Sequence, residues 1–102
     1  MTTISTTLPD QTTFKSDTEL LGMVQGSAHV ADGVTLRLDG LIAGNLSIGS
    51  QAEAILSGSV NGNVINNVGT LEVFGVMKGI ITTIGGGSTT VHPGAVVDGV
   101  RH

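Results

Sequence analysis

The chain contains no cysteine, tryptophan or tyrosine, and its only aromatic residues are Phe14 and Phe74. Without cysteine there is no disulfide to staple a small core and no thiolate to hold a metal. Without aromatics, the large buried areas that commonly organise a core of 102 residues are missing. Basic residues are equally scarce: Lys15, Arg37, Lys78 and Arg101 stand against eight acids, for a formal charge of −4. Nucleic-acid binding draws on a concentrated basic face that displaces counterions, so that class is set aside. No apolar run approaches the roughly 18 residues of a membrane span. Residues 1–21 hold no basic start followed by an apolar block, so no secretory leader is read there.

Small apolar residues and glycine are abundant instead. Hydrophobic residues make up 39% of the chain, nearly all Val, Ile, Leu, Ala and Met, and there are 16 glycines. That mixture suits a narrow interior built from short strands joined by tight corners. It favours a solenoid over a sandwich or a helix bundle.

One short unit recurs: Gly, any residue, an apolar residue, any residue, Gly. It reads GMVQG at Gly22–Gly26, GLIAG at Gly40–Gly44, GSVNG at Gly58–Gly62 and GVMKG at Gly75–Gly79, with AVVDG at Ala95–Gly99 as a fifth copy. The closing glycines, Gly26, Gly44, Gly62, Gly79 and Gly99, are spaced by 18, 18, 17 and 20 residues. The last step contains Gly85–Gly87 and reads as a loop insertion of about three residues at that point. The central position runs Val24, Ile42, Val60, Met77, Val97. A second column runs Leu36, Ala54, Leu71, Val91, and a third Leu38, Leu56, Val73, followed by Pro93. A fourth, two residues past each closing glycine, runs Ala28, Leu46, Val64, Ile81. Within each unit apolar residues fall mostly at alternate positions, which is strand periodicity rather than a helical stripe.

The expected fold is therefore all-β: a single-stranded parallel β-helix with three sides, about 18 residues per turn and about five turns. Stacked strands lie about 4.8 Å apart, so such a rod is very roughly 20–25 Å long. Residues 15–102 are assigned to it. Residues 1–14, Thr-rich and outside the register, read as a flexible tail, with Phe14 and Leu20 covering the first turn. Asn66 falls where Val30 and Ile48 predict an inward apolar residue, and the 17-residue step there would turn it outward. The terminal turns of a solenoid carry unpaired backbone groups, and only Val100, Arg101 and His102 follow the fifth unit. The tips, with Leu20, Val24, Val97 and Val100, are the expected assembly ends, and a second copy is the expected partner.

The GxVxG units, the 18-residue turn and the steps Gly44-Asn45-Leu46 and Gly62-Asn63-Val64 resemble bactofilins, bacterial polymer-forming cytoskeletal proteins. The resemblance covers about residues 15–100. It implies a right-handed helix with disordered termini and nucleotide-independent, non-polar filaments formed by end-to-end contact. It further implies a cytoplasmic scaffold, at the inner face of the membrane, that shapes the cell or places other proteins, with no cofactor and no catalysis.

Two other classes stand beside it. Val24, Val30, Leu36, Ile42, Ile48, Ala54 and Val60 are six residues apart, as in the left-handed β-helices of hexapeptide-repeat enzymes. The segment Val91–Gly99 resembles their repeat, and spacing alone leaves handedness open. In a trimer of that kind His92 would meet a histidine of a neighbour. A small acidic β protein is also compatible with an inhibitory or immunity module. Catalysis within one chain has little to work with. His29 lies between inward residues and faces out, His92 flanks Val91, and His102 is terminal, so no converging ligand set is expected. The acids are scattered, Lys78 and Asp98 are expected to form a weak exposed ion pair, and Gly85–Ser88 lacks the Lys-Ser/Thr ending of a phosphate loop.

Overall fold

The structure, a computed structural model, describes residues 2–85 and 87–98, with the backbone of 100–101. It is an all-β solenoid with no helix among the described residues, and hence none long and apolar enough to cross a membrane. The first coil holds β1 (Thr2–Ile4), β2 (Thr7–Leu8) and β3 (Thr12–Phe14). The second holds β4 (Thr18–Leu20), β5 (Met23–Val24) and β6 (Ala28–Val30), and the third β7 (Thr35–Leu38), β8 (Leu41–Ile42) and β9 (Leu46–Ile48). Then come β10 (Glu53–Leu56), β11 (Ser59–Val60) and β12 (Val64–Asn67), followed by β13 (Thr70–Val73), β14 (Val76–Met77) and β15 (Ile81–Ile84). A sixth coil begins with β16 (Ser88–Val91) and β17 (Val96–Val97), and β18 (Val100–Arg101) closes the described chain. Each coil contributes one strand to each of three sheets: A in the order β1-β4-β7-β10-β13-β16, B as β2-β5-β8-β11-β14-β17-β18, and C as β3-β6-β9-β12-β15. All pairings are parallel except β17 with β18.

Parallel pairing puts like residues over one another, so each inward column buries the same chemistry at every level. Val24, Ile42, Val60, Met77 and Val97 are stacked in sheet B. Leu20, Leu38, Leu56 and Val73 are stacked in sheet A, beside Leu36, Ala54 and Leu71. Leu20, Leu36, Leu38, Ile42, Leu46 and Leu71 are wholly inaccessible. Burying one such side chain stabilises the fold by about 1.5–3 kcal/mol.

The last coil departs from the expected columns. Thr89, not Val91, lies over Leu71, while Val91 lies over Val73 and Pro93 sits in an exposed turn. The extra residues are placed differently from the sequence reading. One enters at the Gly85–Gly87 corner, where the step lengthens from 17 (Asn66 to Thr83) to 18 (Leu71 to Thr89). Two more enter between Val91 and Val97, lengthening the step to 20 (Met77 to Val97). His92–Ala95 form a turn there, closed by the Ala95 amide donating to the His92 carbonyl at 3.1 Å.

Residues 2–14 are not outside the register. They make a full coil, with Thr2 on Thr18, Leu8 on Val24 and Phe14 on Val30. Its signal escapes a count of 18 because the step is 16. Thr6 and Asp10 also occupy the places that glycine takes in later coils.

The corner glycines act through space rather than backbone angle. Positive φ is confined, among the described glycines, to Gly33, Gly85 and Gly94. A Cβ on Gly44 would lie 2.7 Å from the Gly26 carbonyl carbon, and one on Gly62 would strike the Asn45 side chain. Glycine there lets a polar ladder climb the corner. Asp10 Oδ1 accepts from the Ser27 amide (2.8 Å), Ser27 Oγ from Asn45 (3.3 Å), Asn45 Oδ1 from Asn63 (2.8 Å) and Asn63 Oδ1 from Ile80 (3.0 Å). Gly99 lies outside the described residues.

The corner joining sheet C to sheet A needs one residue in the left-handed region: Gly33, Gln51, Val68 and Gly85 fill it in successive coils. In the coil of Asn66 this corner is one residue shorter. Asn66 points inward, fully buried beneath Thr83, correcting the expected outward turn. Its Oδ1 accepts the Gly69 amide (3.0 Å), where neighbouring coils use backbone carbonyls: Val34 to Ala31 (3.1 Å) and Ala52 to Gly49 (3.2 Å). Its Nδ2 donates to the Ser88 carbonyl (2.9 Å) and Thr89 Oγ1 (3.1 Å). A side chain has taken over the work of the missing residue.

Candidate functional site: the two tips

Inside the solenoid each strand bonds to a strand on either side, so backbone demand is met. The tips differ. At the first coil, β1, β2 and β3 each pair on one side only. Ile4 and Leu8 are half-buried against the core and Phe14 is buried. Leu20 and Val24, expected at this end, are wholly buried under that coil and are not assembly surface.

The opposite tip is stepped. Sheet A ends at β16 and sheet C at β15, both with a free edge, whereas β18 folds back on β17 in antiparallel register, Val97 on Val100. The C-terminal tip is therefore not uniformly bare: Val97 lies half-buried beneath a covering strand, and the Val100 backbone forms that cover. The inward residues at this end are Ile81, Thr83, Thr89 and Val91, with Thr83 and Thr89 hydroxyls 2.7 Å apart. The polar pair ends a column that is apolar below Asn66. Sequence reasoning missed these residues because the displaced insertion hid their column.

The sides of the rod are also uneven. Seven large apolar residues are exposed among those described, and all but Leu21 lie between Ile65 and Ile84: Ile65, Val68, Phe74, Val76, Ile80 and Ile84. Charged contacts sit elsewhere. Arg37 Nε is 3.8 Å from Glu19 and 3.9 Å from Asp39, exposed pairs worth below about 1 kcal/mol. The expected Lys78–Asp98 pair is not made; Asp98 stands in a left-handed turn with φ 52°.

His29 faces solvent on sheet C. His92 is less isolated than expected: its ring stacks on Phe74 with centroids 3.9 Å apart, and Nε2 lies 3.3 Å from Glu72 Oε1. Its face is covered by Phe74 and its free nitrogen is engaged, which anchors the turn that carries the two extra residues. His102 and Gly86 lie outside the described residues. Among the described residues no three His, Asp or Glu side chains converge as a metal site would require. Comparison with known proteins finds no family model, no curated protein and no solved structure that matches the chain.

Proposed function

We propose that this chain is a structural protein that stacks end to end with copies of itself into nucleotide-independent filaments, as its resemblance to bactofilins implies. The observation that supports this reading most is the state of the strand edges. β1, β2 and β3 at one tip, and β15 and β16 at the other, have a strand partner on one side only. An unpaired edge of regular strands is a template for another strand of the same rise. The body measures only 29 × 25 × 20 Å, so one chain is a stub and length comes from repetition. In this reading the protein is not an enzyme, its principal partner is itself, and it works in the cytoplasm, at the inner face of the membrane, as a scaffold. The test is negative-stain microscopy and sedimentation of the purified chain without nucleotide. Filaments that pellet support it; particles of single-chain size at millimolar concentration overturn it.

A further inference from the structure

Every sheet starts in the first coil, yet sheet C holds five strands, sheet A six and sheet B seven. The C-terminal tip therefore has a notch on sheet C, one strand below its neighbour on one side and two below on the other. At about 4.8 Å per strand the notch is roughly 5–10 Å deep. Its floor is the edge of β15. The carbonyls of Ile80 and Ile84 accept bonds from Val64 and Val68 of the coil below, both at 3.0 Å. Backbone groups alternate sides along a strand, so the N–H and C=O of Ile81 and Thr83 face the open edge. Four hydrogen-bonding groups are thus directed into the notch.

The side chains around it are of one kind. Ile80 is 54% exposed and Ile84 48%, with exposed Ile65 and Val68 on the coil beneath. No charged residue occurs between Gly79 and Val91. The free edge of β16 carries no such flank, since its exposed residues are Ser88 and Thr90. A flat, rigid tip of another copy would rest on the taller sheet B and leave β15 uncovered. A single extended segment would fit.

We infer that the β15 edge is a strand-capture site, and that its occupant is an extended, uncharged segment of a partner protein with β-branched or aliphatic residues at alternate positions. The segment adds a sixth strand to sheet C. Its inward side chains cover Ile81 and Thr83, and its outward ones continue the exposed apolar row of Ile65, Ile80 and Ile84. This inference goes beyond self-assembly and gives the scaffold a place to hold a client while leaving β1–β3 for another copy.

The experiment uses a fluorescein-labelled synthetic peptide with the sequence of residues 44–53, whose Leu46 and Ile48 are the inward pair of a sheet C strand. Fluorescence anisotropy is expected to saturate at one peptide per chain, with amide exchange of Ile81 and Thr83 slowed in the complex. Thr83→Pro removes a backbone donor that faces the notch, and Ile84→Glu puts a charge on its flank without touching the backbone. Each is expected to weaken binding at least tenfold while filaments and thermal unfolding stay as in the parent. No peptide binding, equal binding by both variants, or protection at Thr89 and Val91 instead overturns the site. Loss of filaments in Thr83→Pro, with the peptide competing against polymer growth, would make the occupant another copy and overturn the client reading. Absent filaments with intact peptide binding would count against the self-assembly proposal alone.

Discussion

The second to fourth coils and the coils that follow them are built from the same repeat and end up with opposite surfaces. Across the second to fourth coils the step is a constant 18 residues, and inward columns such as Leu20-Leu38-Leu56 are wholly apolar. Outward positions there carry Glu19, Arg37, His29 and Ser47. Beyond Val64 the steps become 17, 18 and 20. Asn66, Thr83 and Thr89 now face in, and Ile65, Phe74, Val76, Ile80 and Ile84 face out. A constant step repeats one solution and leaves nothing unsatisfied. Each change of step forces a local repair, and the repairs are where polar groups enter the core and apolar ones reach the surface.

The contrast is sharpest under a buried charge. Leu56→Asp places an unpaired carboxylate in the middle of an apolar column, and loss of the folded state is expected, at a cost above about 5 kcal/mol. Thr83→Asp, at the far end of its column, should leave the thermal transition within a few degrees of the parent. Circular dichroism of both variants checks the pair; equal melting would erase the distinction between the two regions.

Asn66→Leu restores the apolar pattern by sequence, yet it strips the Gly69 amide and the Ser88 carbonyl of their partner. We expect destabilisation by about 2–3 kcal/mol, on the order of one or two unsatisfied buried groups. Denaturant unfolding with an increase in stability would show that the shortened corner does not depend on this side chain.

A smaller effect on folding is expected from Val97→Lys, because Val97 is only half-buried and its long replacement can reach water. The consequence should fall on assembly. Sedimentation is expected to show a marked drop in polymer while the melting temperature changes little, and normal filaments would exclude this tip from the contact.

The smallest change runs in the favourable direction. Val68, exposed, holds φ at 59°, a region that disfavours a β-branched residue by roughly 1–2 kcal/mol. Val68→Gly should gain about 1 kcal/mol after allowing for the greater freedom of glycine in the unfolded chain. A lower denaturation midpoint would mean that Val68 contributes more through contact than it loses through strain.

The tips illustrate how far the residues could be read in advance. The columns of Val24, Leu36, Leu38 and Ala28 were legible because parallel stacking repeats a chemical pattern at a constant interval. The first coil was not, since Thr6 and Asp10 replace its marker glycines and its step is 16. Val91 was placed one column out because a count along the chain gives the size of an insertion but not its corner. The covering of Val97 by Val100 was invisible, as two residues carry no periodicity.

Alternation of apolar residues, their return every 18 positions and the spacing of glycine were enough by themselves to specify a three-sided solenoid, because both strand pleat and coil closure are properties of local geometry. Tertiary structure alone decided which corner absorbed each irregular step, that Asn66 turned inward, and that the three sheets stopped at different heights. Those outcomes depend on which backbone groups find partners across coils far apart in the chain, a competition that no single stretch of residues contains.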